Sequence, residues 1–459
     1  MDFDVAIIGG GSAGYAAASS AQSLGAQVAI IDPGPLGGLC ILKGCMPTKA
    51  ILRSSDIMAL MGRAKEFGIQ SVEAKAQLSA INDRKNKLIK EFADYRIEQL
   101  NSPRFTLIEE QAQFISPYEI KIGNKFLKAR SFIIATGSVI ANYPILGLEE
   151  TGFVTSDDVL KMREAPDSII VLGAGAVAVE LAQFLLRIGV KVTLLQRSQH
   201  ILSKGDEDLA RPVESRFREE GMNLYTSTKI LRAEKTLEGS VIYFKHEGKE
   251  KKVCARYILQ ALGRRPNIDS LHLDLAKVEI QKSCIPVDSK MKTNQPHIFA
   301  VGDVNGIHEV VHIAIQQGEI AGYNAINTAN EKEVDNRLKA SVVFTDPGVA
   351  SVGLSEKECQ ANNIPYLTAS YSFDDHGKSM CLGETYGHVK LLCHPASGEV
   401  LGGHIVGPEA GELIHEIITL MHFRGTVKDM LEIPHYHPTL AEILTYPAEE
   451  LLDKLSSIS

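Results

Sequence analysis

The chain has 459 residues, 44% hydrophobic and 23% charged, which suffices for about two to four domains with ample cores and excludes a disordered polypeptide. Its formal net charge of −8 argues against nucleic acid or an anionic membrane as the main partner. Seven cysteines, an odd and modest number, argue against a secreted disulfide framework and point to the cytoplasm.

Residues 4–8 form a short apolar run that meets Gly9-Gly10-Gly11-Ser12-Ala13-Gly14, followed by an alanine-rich, helix-favouring segment over 15–24. The pattern predicts strand, glycine turn and helix. A second strand is predicted over 27–31 and ends at Asp32, the acidic position that binds the 2′-hydroxyl of an adenine ribose in dinucleotide folds. This context favours a dinucleotide site over a chance glycine loop.

Residues 37–49, GGLCILKGCMPTK, hold Cys40 and Cys45 five positions apart. A regular helix would separate them by about 7.5 Å along its axis, too far for a disulfide, so a bridge requires a distorted turn. Gly44 permits one. Pro47, Thr48 and Lys49 read as the start of a new helix, whose amides, with Lys43 and Lys49 nearby, would stabilise a Cys45 thiolate. The alternative is two buried free cysteines.

Helical periodicity follows over 50–68 and 77–100, paired-strand alternation over 105–127, and a buried run over 131–137 that ends in Ala135-Thr136-Gly137. From residue 168 the N-terminal pattern repeats: strand 168–172, turn Gly173-Ala174-Gly175-Ala176-Val177-Ala178, helix 179–188, strand 191–195. Gly9 precedes Asp32 by 23 positions and Gly173 precedes Gln196 by the same 23, so two dinucleotide folds are expected. The second closes near 257–263, and Arg264-Arg265-Pro266-Asn267 reads as a crossing back to the first. Residues 298–303 form another buried strand, ending in Asp303. A charged linker is expected at 331–337, then a separate α+β domain with strands at 341–344, 388–393 and 400–406 and helices at 411–423 and 440–455. Neither the N-terminus, which lacks a basic region, nor 168–186, which contains Glu180 and Gln183, reads as an export or membrane signal.

Near the C-terminus, His437 and Glu442 suit acid-base chemistry, because a carboxylate bonded to the second ring nitrogen fixes a histidine's tautomer. A metal site built from His422, His435 and His437 is disfavoured, since the cysteines lie elsewhere and the local acid suits a proton relay. Ordinary core or surface histidines are the alternative.

The cysteine stretch, the two glycine turns, ATGS at 135–138, GRRPN at 263–267, AVGD at 300–303 and HPTLAE at 437–442 together resemble the flavin-dependent pyridine nucleotide-disulfide oxidoreductases, in order and along essentially the whole chain. The resemblance implies an α/β protein with two Rossmann-like dinucleotide-binding domains, one for FAD (1–150 and 265–335) and one for NAD(P) (151–264), plus a C-terminal α+β dimerisation domain (336–459). It implies a homodimer in which Cys40 is the interchange thiol facing substrate, Cys45 the charge-transfer thiol, and His437 of the partner subunit the acid-base catalyst oriented by Glu442. Lys49 and Glu180 match a pair beside the flavin ring, and Asp303 a ligand of the ribityl chain. FAD is expected at Gly9, Gly11, Gly14, Asp32, Lys49, Thr136, Gly137 and Asp303, and the nicotinamide nucleotide at Gly173, Gly175, Ala178, Gln196, Arg197 and Gly263. No metal is expected.

Within the family, PHYHPTLAE, GPEAGELIHE at 407–416 and LGETYGHVKL at 382–391 look like dihydrolipoyl dehydrogenases, which implies a lipoyl group or lipoyl-bearing protein as substrate. The last residues, 451–459, lack the cysteine pair of mercuric reductases and of the large thioredoxin reductases. Ser19-Ser20-Ala21 and Glu319 stand where glutathione reductases carry arginines. Three positions depart from the pattern: Leu39 for a threonine, Lys43 between the thiols, and Gln196-Arg197 for the glutamate that selects NAD. The last change removes a charge that repels a 2′-phosphate and adds a planar cation, so NADP(H) is expected to serve at least as well as NAD(H). The alternatives are an NADPH-dependent reductase of another disulfide or oxidant, and a structural subunit of a multienzyme complex. The intact Cys40/Cys45 and His437/Glu442 pairs argue against the latter.

Overall fold

The computed structural model describes residues 1–70 and 73–458; Ser459, the last residue of the expected dimerisation domain, lies outside the described residues. The chain gathers into two compact units, one from Met1–Ala50, Asp83–Asn142 and Gly263–Asp335, the other from Ile51–Asn82, Tyr143–Leu262 and the chain from Asn336 onward.

The first unit is built on a parallel sheet in the order Thr106–Ile108, Val28–Ile31, Phe3–Ile8, Lys125–Ile134, with Ile298–Ala300 against the last strand. Strand Lys125–Ile134 joins two stretches that the sequence reads as separate. Its first half alternates buried and exposed residues and pairs antiparallel with Glu119–Ile122, leaving one face wet. From Ser131 to Ile134 every residue is buried, as a parallel strand covered on both faces requires. Helix Ser12–Ser23 lies against helix Val311–Ile326 so closely that a Cβ at Gly318 would stand 2.2 Å from the Ala13 carbonyl oxygen.

Residues 331–335, expected as part of a charged linker, are instead pinned to this unit. Glu331 pairs with Lys292 and, at 3.0 Å, with Lys290; Val334 is buried, and the Lys332 N–H donates to Asn324 Oδ1 at 2.8 Å. The Glu331 carboxylate finds its partners on the turn at 288–292.

The second unit repeats the parallel order with Asn223–Tyr225, Lys191–Leu195, Ser168–Leu172 and Tyr257–Gln260, followed in the same unit by an antiparallel sheet of Lys229–Lys235, Ser240–His246 and Lys249–Ala255. Its C-terminal part is a five-stranded antiparallel sheet in the order Ala340–Val343, Gly348–Gly353, Val400–Gly407, His388–Cys393, Leu367–Ser372, backed by helices Ala410–His422 and Thr445–Ile458. The helix expected over 50–68 runs as Cys45–Gly62 and breaks at Arg63, whose guanidinium donates to Glu384 at 2.7 Å and to the Gly383 carbonyl at 2.6 Å. Among the described residues no helix is long and apolar enough to cross a membrane.

Candidate functional site

Each parallel sheet ends in a glycine turn that leaves a helix N-terminus uncovered. Helices Ser12–Ser23 and Ala176–Arg187 start from Gly11 and Gly175, without a side-chain cap and without an acid in the first turn. Their leading amides therefore suit a pyrophosphate. In the first turn a Cβ at Gly9 would stand 2.4 Å from the Ala135 carbonyl oxygen and one at Gly14 would stand 1.8 Å from the Gly9 carbonyl oxygen, whereas Gly175 in the second turn faces open space. The two crowded glycines let strand, turn and helix close up; the open one leaves room for a ligand to reach the backbone. Ala178 holds the place corresponding to Gly14 and is fully buried, so the second turn accommodates a methyl group. These features fit the dinucleotides that the sequence implies.

Asp32 follows strand Val28–Ile31. Its carboxylate accepts the Gly10 N–H at 2.6 Å and the Gly34 N–H at 2.8 Å, one on each oxygen, which orients it beside the turn. Gln196, the corresponding residue of the second unit, is turned back on its own loop: Oε1 accepts the Arg197 N–H at 3.1 Å and Nε2 reaches the His200 carbonyl at 3.4 Å. Arg197 is exposed.

Asp303 lies in the turn after strand Ile298–Ala300. Gln317 Oε1 holds that turn through the Gly302 N–H and the Asn305 amide, both at 2.8 Å. Ser138 Oγ donates to Asp303 at 2.5 Å and accepts from Arg264 Nε at 2.9 Å, while Arg264 also donates to the Ser138 carbonyl at 2.7 Å. Thr136 Oγ1 donates to the Asn267 carbonyl at 2.7 Å, and the Asn267 N–H donates to the Gly137 carbonyl at 3.0 Å. Strands Ser138–Ile140 and Arg264–Pro266 pair here, and Gly263, grouped by sequence with the nicotinamide site, lies with the first unit. Ser138 and Arg264 lie in the ATGS and GRRPN motifs, where neither residue type nor spacing announces their contact.

Cys40 sits in the short helix Gly38–Leu42, and Cys45 opens helix Cys45–Gly62. Lys43, at φ −143° and ψ −2°, and Gly44 break the helix between them, and Thr48 Oγ1 donates to the Gly44 carbonyl at 2.8 Å to fasten the new start. This supplies the distorted turn the spacing demands. The two side chains stand as thiols in hydrogen-bond contact rather than bridged. That hydrogen bond and then burial hold the Cys40 thiol above the ordinary thiol range, opposed by the Cys45 N–H and the Lys49 charge.

Glu180 is buried in helix Ala176–Arg187 and accepts the Phe344 N–H at 2.9 Å. His437 Nδ1 lies 2.9 Å from Glu442 Oε1. The Thr439 N–H and then His437 hold the Glu442 carboxyl below its ordinary value. His376, which sequence reasoning missed, is buried in the same unit with Nδ1 2.8 Å from Ser379 Oγ, and the charges of Glu442 and His437 act on it. A lone histidine in DHGK carries no sequence signal for this. His435 has both ring nitrogens engaged, by Glu416 at 2.8 Å and the Ile433 carbonyl at 2.9 Å, and so offers no lone pair to a metal.

Comparison with known proteins agrees with this arrangement. The pyridine nucleotide-disulphide oxidoreductase model matches residues 3–318, and the dimerisation-domain model of the same family matches 339–448. The chain is 31% identical over 449 residues to a dihydrolipoyl dehydrogenase of Bacillus subtilis (strain 168), covering 96% of both chains. A mercuric reductase of Staphylococcus aureus is also 31% identical, over 100% of this chain and 84% of its own. Among solved structures, LpdA from Mycobacterium tuberculosis superimposes with a TM-score of 0.88 at 26% identity, covering 97% of this chain and 99% of that one. The HOCl-induced flavoprotein disulfide reductase RclA from Escherichia coli shares the fold, with a TM-score of 0.84 at 23% identity over 99% of this chain and 100% of that one.

Proposed function

Because the chain belongs to the pyridine nucleotide-disulphide oxidoreductases, enzymes that use FAD and NAD(P), we propose that it is a cytoplasmic, homodimeric dihydrolipoyl dehydrogenase. In this reading residues 1–150 and 265–335 bind FAD through the first glycine turn, Asp32, Lys49, Thr136, Gly137 and Asp303. Residues 151–264 bind NAD(P) through the second turn, Gln196, Arg197 and Gly263, and 336–459 form the dimer. Bound FAD supplies the two-electron relay between thiols and nicotinamide, which sulfur does not exchange with readily.

The residues of the chain perform the sulfur chemistry. His437 of the partner subunit takes the proton of one substrate thiol, and the thiolate attacks Cys40 in the Cys40–Cys45 disulfide. The new mixed disulfide forms at Cys40 as the old S–S bond breaks, and Cys45 leaves as a thiolate. The second substrate thiol then closes the lipoyl disulfide, and the Cys40 sulfur is released and takes up a proton. The observation that carries this is the hydrogen-bonded Cys40/Cys45 pair at a helix break, with Cys45 at the start of the new helix.

The lipoyl assignment is supported by the C-terminal motifs and by the Bacillus relative, matched along 96% of both chains. A second reading, an NADPH-driven reductase of another disulfide or oxidant, is favoured by the exposed Arg197 beside Gln196 and by the mercuric reductase relative. Turnover of dihydrolipoamide with NAD⁺ and NADP⁺, compared with oxidation of NADPH by Hg(II) or oxidised glutathione, separates them. Turnover of one of the latter without the former overturns the lipoyl reading.

A further inference from the structure

The loop that carries Gln196 and Arg197 runs from strand Lys191–Leu195 to helix Glu207–Glu219 and is tied to the second glycine turn, where the Leu202 N–H donates to the Ala174 carbonyl at 2.9 Å. Ile201 is fully buried, and its N–H donates to Glu214 Oε1 at 2.9 Å. Leu202 itself takes φ 50°. A leucine in left-handed backbone is strained, and such a residue persists where its surroundings over-determine it. The loop therefore needs a hold at its far end.

Asp206 is that end. It stands at the N-cap position of helix Glu207–Glu219, yet its side chain makes no capping bond to its own helix. An aspartate there ordinarily satisfies one of the helix's leading amides, and giving that bond up costs stability. Instead, one carboxylate oxygen accepts from the Lys390 ammonium at 2.8 Å and from the Glu356 N–H at 3.1 Å, and the other from the Lys357 N–H at 3.3 Å. All three donors belong to the C-terminal part of the same unit. Lys390 lies on His388–Cys393, an interior strand of the antiparallel sheet, and the two amides open helix Glu356–Ala361. Lys390 is buried and also lies 2.7 Å from Asp208 and 3.1 Å from Glu356. A buried ion cluster of this kind is a weak source of stability compared with apolar packing, but breaking it leaves a buried charge uncompensated. Its effect is to fix where the loop ends.

We propose that Lys390 and Asp206 are a positioning pair of the nicotinamide site: they hold loop 196–205 on the second glycine turn and so set how tightly NADH and NADPH bind, without taking part in thiol exchange. The inference rests on the reading of the second turn as the NAD(P) site and adds to it a residue of the C-terminal sheet. The hold acts on the loop as a whole, so its loss weakens both nucleotides. Loss of the Arg197 guanidinium, which bears on a 2′-phosphate, weakens NADPH alone.

The test is stopped-flow reduction of the FAD-loaded enzyme over a range of NADH and NADPH concentrations, which gives Kd and the limiting rate separately. Reduction of the same preparation by dihydrolipoamide, or by dithiothreitol where that does not react, reads the thiol side. Asp206→Asn and Lys390→Met should each raise Kd for both nucleotides by about 3- to 30-fold, with the limiting rate and the reaction with dithiol changed by less than about twofold. Lys390→Met weakens the fold, so Asp206→Asn, which leaves Lys390 its Asp208 and Glu356 partners, decides the matter if Lys390→Met does not load FAD. Arg197→Met, measured alongside, should raise Kd for NADPH and spare NADH. Unchanged Kd values in Asp206→Asn, a change confined to NADPH, or an equal loss in the dithiol reaction overturns the positioning role while leaving the NAD(P) reading in place. A wild-type flavin that neither nucleotide reduces overturns the NAD(P) reading, and the proposal with it.

Discussion

His437 and Glu442 form a fixed pair: Nδ1 lies 2.9 Å from Oε1, and the other carboxylate oxygen accepts the Thr439 N–H at 2.8 Å. The carboxylate cannot swing away without losing both bonds. It therefore holds the proton on Nδ1 and leaves Nε2 of a ring whose side chain is 82% exposed to act on an incoming thiol. His437→Ala should slow the reaction of the enzyme with dithiol by about 10²- to 10⁴-fold. Reduction of the holoenzyme by NAD(P)H, followed by stopped-flow absorbance, should change far less. Equal slowing of both half-reactions contradicts the role.

The matched dimerisation domain makes a sharper test of where that histidine acts. Cys40→Ser and His437→Ala proteins, each inactive towards dithiol, should recover part of the activity when their subunits are mixed. Heterodimers then carry one site in which Cys40 and His437 of the partner subunit are both intact. No recovery after mass spectrometry confirms subunit exchange rules out a site shared between subunits.

The cysteine pair predicts a spectral asymmetry. Cys45 opens helix Cys45–Gly62, whose leading amides favour a thiolate there, so the negative charge of the reduced pair belongs on Cys45. Cys40→Ser should show a long-wavelength thiolate-to-flavin absorbance without added reductant, and Cys45→Ser should lack it after reduction. Identical spectra from the two variants contradict the assignment.

The two parallel sheets were legible because their strands are continuous apolar runs that each end in a glycine turn, a pattern contained in about thirty neighbouring residues. Strands Gly348–Gly353 and Leu367–Ser372 were not, since GVASVG and LTASYS are small and polar and become strands only by pairing with Val400–Gly407 and His388–Cys393. The same holds at the site. Cys40, Cys45, Asp32 and His437 announce themselves by type and spacing, whereas Ser138 meets Arg264 from 126 positions away and Asp303 from 165. Arg96 carries no signal in the sequence, and only folding sets its guanidinium over the Tyr15 ring.

Lys390 carries a stability prediction. Its side chain is 2% exposed and lies 2.8 Å from Asp206, 2.7 Å from Asp208 and 3.1 Å from Glu356, with His388 3.4 Å from Asp208 and buried His404 nearby. Lys390→Met leaves Asp206 buried without its cation and should cost about 3–5 kcal/mol at pH 7. Burial raises the two aspartates, but Lys390 with the Lys357 and Glu356 N–H groups on Asp206, and His388 with Lys390 on Asp208, outweigh it and hold both below the ordinary carboxylate value. A depressed folded value means that the stabilisation is present above the unfolded value of about 3.9 and fades as pH falls through the folded one. Denaturant unfolding should therefore show a smaller difference between wild type and Lys390→Met at pH 3 than at pH 7; a constant or growing difference contradicts the pairing.

Nicotinamide choice follows from comparing the two glycine-turn sites of one chain. Asp32 presents a carboxylate, oriented by the Gly10 and Gly34 amides, that accepts a ribose 2′-hydroxyl and repels a 2′-phosphate. At the corresponding position Gln196 has no charge, and both ends of its amide are occupied by the Arg197 N–H and the His200 carbonyl. It neither repels the phosphate nor competes for a hydroxyl. The exposed Arg197 guanidinium is the nearest cation in sequence and can grip phosphate through two parallel N–H bonds. One such contact is worth about 1.5–3 kcal/mol, or roughly ten- to hundredfold in kcat/KM. NADP(H) should therefore be used at least as well as NAD(H), and Gln196→Glu with Arg197→Met should swing the preference towards NAD(H) by restoring the repulsion and removing the grip. Arg197→Met alone should weaken NADP(H) while sparing NAD(H), because NAD(H) has no 2′-phosphate to lose. A wild-type enzyme that strongly prefers NAD(H), with the preference unmoved by Arg197→Met, would show that the guanidinium stays in solvent and that an uncharged glutamine suffices for the ribose.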